Sequence, residues 1–144
     1  MPEIQFKAFT VVAPDGWEDV TDSLEIADPP ITLARTDGVG ALQFSVATYS
    51  SGTRPDPSTD DLLGMIEEFG RSRGLGLPGN VLTRSGPLRM AAGSFLADGD
   101  FVRAWYVSDG LSFARVTQVC EAGREAEELA DSEQMVGSLA FIAQ

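Results

Sequence analysis

The sequence predicts an α+β fold: a single α/β/α sandwich with a mostly antiparallel sheet, a C-terminal meander and one helix on each face. Three observations carry this reading. Segments rich in β-branched and aromatic residues outnumber helical ones. Two Asp-Gly pairs separate such segments near the C-terminus, where they read as tight hairpin turns. Both faces of those hairpins are apolar, and each face therefore calls for a cover. With 144 residues, 43% of them hydrophobic and 22% charged, the chain fits one globular domain spanning 1–144. It shows no repeat, low-complexity tract or internal linker.

The first predicted strand runs Ile4–Val12 and ends before a turn at Pro14-Asp15-Gly16. Ile31–Arg35 and Ala41–Ser50 follow. In the latter, Leu42, Phe44 and Val46 alternate with Gln43, Ser45 and Ala47, so one face is the more apolar. A helix then spans about Thr59 to Arg73. Ser58 or Thr59 caps it, Asp60 and Asp61 lie in the first turn where the dipole favours carboxylates, and Gly74 ends it. Leu62, Met65, Ile66 and Phe69 recur at i, i+3, i+4 and i+7, forming one stripe to be buried.

Val81–Arg84, Leu88–Ala97, Phe101–Ser108 and Leu111–Glu121 are the remaining strands. The last three form the meander, turning at Asp98-Gly99 and Asp109-Gly110, each read as a two-residue type I′ loop. A second helix, about Arg124 to Ser138, has a thinner stripe of Ala126, Leu129 and Val136. Its Glu125, Glu127, Glu128 and Asp131 read as an acidic, solvated exterior. With these loops, Leu88, Met90, Ala92, Ser94, Leu96, Phe101, Arg103, Trp105, Val107, Ala114 and Val116 share one sheet face. Ala91, Phe95, Ala104, Tyr106, Phe113, Arg115 and Val119 share the other. One helix precedes the meander and one follows it, which assigns a helix to each face.

Three stretches carry a family likeness: the opening Phe9-to-Trp17 segment FTVVAPDGW, an extended strand ending in Pro-x-Gly-Trp; the hairpin WYVSDGLSFARVTQVC from Trp105 to Cys120; and the closing MVGSLAFI from Met135 to Ile142. Together with the element order they resemble the PsbP-like superfamily over nearly the whole chain. Its members include the PsbP extrinsic subunit of photosystem II, a Ran-GTPase-binding nuclear import factor and bacterial chaperones of type VI secretion effectors. The resemblance implies a single PsbP-like domain, non-enzymatic and used mainly for protein binding. It carries over no catalytic residue.

The chemistry available to the chain is narrow. It contains no histidine, which removes the commonest general base, metal ligand and pH switch. Cys120 is the sole cysteine and cannot form an internal disulfide. Gly70-Arg71-Ser72-Arg73-Gly74 matches G-x-S-x-G, but it ends a helix where a nucleophile elbow follows a strand. Gly74-Leu75-Gly76-Leu77-Pro78-Gly79 matches G-x-G-x-x-G, but it leads into a strand where a dinucleotide loop opens a helix. The acidic Asp56-to-Asp61 segment lacks the glycine and terminal glutamate of a calcium loop. No catalytic residue, cofactor or metal site is expected.

Acids number 22 against 10 basic residues, a net charge of −12 that disfavours nucleic acid and anionic membranes and allows a protein partner with a basic surface. The N-terminus shows no leader or spanning segment, and the chain reads as cytoplasmic. The expected function is a non-catalytic protein-interaction module of the adaptor, effector-chaperone or immunity kind. The alternative is a carrier of a small apolar ligand, and a homodimer stays open. Arg103 and Trp105 are the candidate anchors, with Glu127, Glu128 and Asp131 as an acidic rim. The competing reading makes Arg103 a buried partner of a helix acid.

Overall fold

Residues 3–142, apart from 26, 28 and 49–55, are described in a computed structural model. Ten strands and two helices follow one another as β1 (Glu3–Gln5), β2 (Phe9–Val12), β3 (Trp17–Asp19), β4 (Ile31–Arg35), β5 (Gly40–Thr48), α1 (Thr59–Ser72), β6 (Gly79–Arg84), β7 (Arg89–Ala97), β8 (Asp100–Ser108), β9 (Ser112–Glu121), α2 (Leu129–Gly137) and β10 (Ala140–Phe141). A seven-stranded antiparallel sheet runs in the order β3-β4-β5-β9-β8-β7-β6, and β1-β2-β10 form a second, three-stranded sheet. The α+β sandwich expected from the sequence is the observed fold.

Turn chemistry sets the register of the large sheet. Ala97 pairs with Asp100, and Asp98 (φ 50°) and Gly99 (φ 86°) fill the two positions that a type I′ turn holds at positive φ. The Asp109-Gly110 turn departs from expectation. Ser108 pairs with Phe113, a loop two residues longer, because the Asp109 carboxylate accepts the Leu111 and Ser112 N–H groups at 3.0 and 2.7 Å. A two-residue change keeps the pleat in phase, so the residues of each face are those predicted.

α1 begins with a capping box: Ser58 accepts the Asp61 N–H and Asp61 accepts the Ser58 N–H. Leu62, Ile66 and Phe69 are buried against Ala91, Phe95, Ala104 and Tyr106 of the sheet. Met65, expected in that stripe, lies at its margin and is 37% exposed.

The opposite face is closed by α2 and the small sheet together. Met135, Val136 and Leu139 join Phe9, Val11, Trp17, Leu33, Phe44 and Trp105 in the main core. α2 is shorter than the predicted helix, since Glu125–Glu127 form a 3-10 turn; of the predicted stripe Leu129 and Val136 pack on the core, Ala126 is exposed, and Met135 joins them. The predicted strand Ile4–Val12 is a hairpin: Ile4 pairs with Val11, and the Phe6 N–H reaches the Phe9 carbonyl at 2.8 Å. Reversal at Lys7-Ala8 brings Ile4 and Phe6 alongside Phe9 and Val11 on the same core, with the Phe6 and Phe9 rings stacked at 4.9 Å. Phe141 then pairs with Phe9, so the chain end completes the small sheet. Among the described residues no helix is long and apolar enough to cross a membrane.

Candidate functional site

The predicted anchors face α2. Trp105 is fully buried, and its indole N–H donates to Glu133 Oε2 at 2.9 Å. Arg103, 4% exposed, donates from Nε to Glu133 Oε1 at 2.6 Å and from one terminal nitrogen to the Asn80 carbonyl and the Ser94 hydroxyl. Glu133 thus serves two buried donors from α2, and the competing reading of Arg103 as partner of a helix acid describes its place. Trp17 repeats the arrangement, donating its indole N–H to Asp131 Oδ2 at 3.0 Å.

Glu128 is buried as well. Its carboxylate accepts the Val39 N–H at 3.0 Å and the Gln118 amide at 3.3 Å, and Gln118 in turn accepts the Ser132 hydroxyl. A Cβ on Gly38 would crowd Glu128 Oε2 and the Arg35 carbonyl, so a side chain there would push the carboxylate from its place. Of the predicted rim, Glu127 is the acid that lies on the surface. There a hydrogen bond from Arg124 holds its carboxyl below the usual value.

The surface patch expected of these five residues is therefore corrected. Arg103, Trp105 and Glu128 are internal, Asp131 is half-buried against Trp17, and Glu127 pairs with Arg124. Buried indole, guanidinium and amide donors need acceptors, and the acids of α2 provide them. Burial also raises the Cys120 thiol above its ordinary value, an effect reinforced by Glu125 and Glu128. Ser72, the serine of the G-x-S-x-G match, ends α1 with its hydroxyl on the Phe69 carbonyl. Among the described residues no group of three or more Cys, Asp or Glu side chains is placed to hold a metal.

The other face is unevenly covered. Seven strands about 4.8 Å apart make a sheet roughly 30 Å wide, whereas a helix with its side chains is about 10 Å across. α1 packs chiefly over β6, β7 and β8. On the same face β9 and β5 lie largely beyond α1, with Phe113 of β9 packing at the margin of its cluster. Two shallow, open clefts mark this half. One, of about 340 Å³, lies where α1 ends, between Phe69, Arg73, Val102, Arg115 and Val119. The other, of about 240 Å³, is bounded by Ser45, Ala47, Tyr106, Phe113 and Arg115. Arg115 is common to both, and Val119 is 41% exposed.

The two arginines here are unlike most others in the chain. Arg71, Arg89, Arg103 and Arg124 each pair with a carboxylate. Arg73 lies 4.0 Å over the Phe69 ring with one long contact, 3.4 Å, to the Ser72 hydroxyl. Arg115, half-buried, makes no hydrogen bond or ion pair among the described residues. Sequence reasoning placed Arg115 and Val119 on this face but gave the whole face to a helix. The strand count held the missing signal.

A mixed sheet-and-helix sandwich, with one face covered from β4 to β7 and the other covered chiefly over β7 and β8, is the class of structure these residues build. Its particular likeness is to PsbP. No family model and no curated protein matches the chain in sequence. In three dimensions it is similar to the cyanobacterial PsbP protein CyanoP of Synechocystis sp. PCC 6803, known from a solution structure. The TM-score is 0.66 over 98% of this chain and 92% of that one, at 10% identity. It is also similar to a protein from Bacteroides thetaiotaomicron VPI-5482 with a 1.50 Å crystal structure. There the TM-score is 0.60 over 94% of this chain and 46% of the other, at 14% identity. At such identities the likeness shows the fold, and the PsbP-like fold expected from the sequence is thereby shown.

Proposed function

We propose that the protein is a non-catalytic binding domain, of the adaptor or effector-chaperone kind, that docks a segment of another protein on the β5–β9 half of the sheet beside α1. The single observation behind this reading is a partly exposed apolar sheet surface beside a helix, with Val119 41% exposed and Val102 and Phe113 half-buried, which no element among the described residues fully covers. Apolar clefts of this kind, edged by a few polar groups, are where partners and ligands settle. The clefts are shallow and open, which favours a protein surface over a small apolar ligand, since a carrier encloses most of its cargo. The net charge of −12 would steer a partner whose body is basic.

The test is co-purification from native cells with a tagged wild-type chain and an Ala47→Asp/Val119→Asp variant that charges the open half. The wild type should retain one protein in fixed ratio, and the variant should lose it with an unchanged circular dichroism spectrum. A folded variant that keeps the partner would overturn the assignment. Small apolar molecules held by the wild type in native mass spectrometry would give the carrier reading instead.

A further inference from the structure

We infer that the segment docked on the β5–β9 half-face is amphipathic and acidic, its carboxylates received by Arg115 and Arg73 beside its apolar side chains. This rests on reading that face as protein-binding and adds the partner's chemistry. Acids outnumber bases 22 to 10 in the chain, yet the charged residues lining the two clefts are arginines, without an Asp or Glu. The cleft at the far edge of the sheet, by contrast, is lined by Glu125. Local charge at the open half thus runs against the charge of the molecule.

Arg115 stands in the middle of this half, opposite Ser45 on β5 and Tyr106 on β8. A guanidinium carries five donors in a planar fork, and those of Arg115, half-buried and without a protein acceptor among the described residues, are left to solvent and open to a carboxylate. A carboxylate brought by a partner meets them with charge-assisted bonds about twice as strong as neutral ones. Arg73, fixed over Phe69, presents a second cation at the wall of the same cleft. Phe69, Val102, Phe113 and Val119 supply the apolar walls against which the rest of the segment packs. Because the whole chain carries −12, attraction of a carboxylate here is short-range, and the acids belong on the docked segment while the partner's body is neutral or basic.

A phage-displayed library of random 12-residue peptides, panned on the folded chain, tests this directly. Selected peptides are synthesised and their affinities read by fluorescence anisotropy. They should carry Asp or Glu next to aromatic or aliphatic residues. Arg115→Gln should weaken them by about tenfold, and Arg115→Lys by less. Changing the peptide's own acid to its amide should cost the same, and the two changes together should cost no more than one alone. Val119→Asp should abolish binding of every selected peptide. Neutral or basic peptides that bind Arg115→Gln normally but fail on Val119→Asp would overturn the carboxylate inference and leave the docking face standing. Peptides indifferent to Val119→Asp, or a library without binders, would overturn both. Circular dichroism of each variant separates lost binding from lost fold.

Discussion

On one face of the seven-stranded sheet, α2 and the β1-β2-β10 sheet together bury residues of every strand from β4 to β7; on the other, α1 covers the β6–β8 half alone. Both faces carry apolar residues on the same strands, so hydropathy does not separate them. Width does, since a lone helix spans little more than two strands. The closed face also brings its polar groups into register: Glu133 with Arg103 and Trp105, Asp131 with Trp17, Glu128 with Gln118 and the Val39 N–H. On the open half Arg115 has no such partner among the described residues. An arginine on one face is part of the core, and the arginine on the other lies half-buried at a cleft.

The largest expected effect lies on the closed face. Trp105→Ala removes a fully buried ring and strands its hydrogen-bond acceptor, so chemical denaturation should show a loss of about 3–5 kcal/mol. An unchanged midpoint would mean that α2 does not seal this face. Glu133→Ala leaves the Arg103 guanidinium buried and uncompensated. Breaking such a pair costs about 3–5 kcal/mol when both partners are buried, and the 33% exposure of the Glu133 side chain lowers the expected loss to about 2 kcal/mol. Glu133→Gln, which keeps an acceptor for Trp105, should recover part of it. The smallest effect lies on the open half. Ser45→Asp, on an exposed strand position at the cleft, should move stability by about 0.5 kcal/mol or less. A loss above 2 kcal/mol there would show that the half-face is packed in the native molecule.

Much of the architecture was legible in the residues. The alternation through β7, β8 and β9 placed each side chain on its correct face even though the Asp109-Gly110 loop is longer than expected, because the error was an even number of residues. The N-terminal hairpin was hidden because Phe6-Lys7-Ala8 contains none of the Gly, Pro, Asn or Asp that mark a reversal. Hydropathy sends carboxylates to water and so places the acids of α2 outside, whereas Glu128, Asp131 and Glu133 turn inward. Two indoles and a guanidinium on strands bound for the core already required acceptors from some neighbour. Hydropathy alone does not reveal the open half; it follows from the breadth of one helix set against that of a seven-stranded sheet.

The contrast between the two faces is tested most directly by site-specific photocross-linking in cells. Benzoylphenylalanine replaces Thr117, half-buried on the open half of the sheet, or Glu18, exposed on the edge strand β3. The account predicts one discrete protein adduct from position 117, absent from position 18, and lost when Val119→Asp is added. Equal adducts from both positions, or none from 117 while an intact complex is recovered from the same cells, would contradict it.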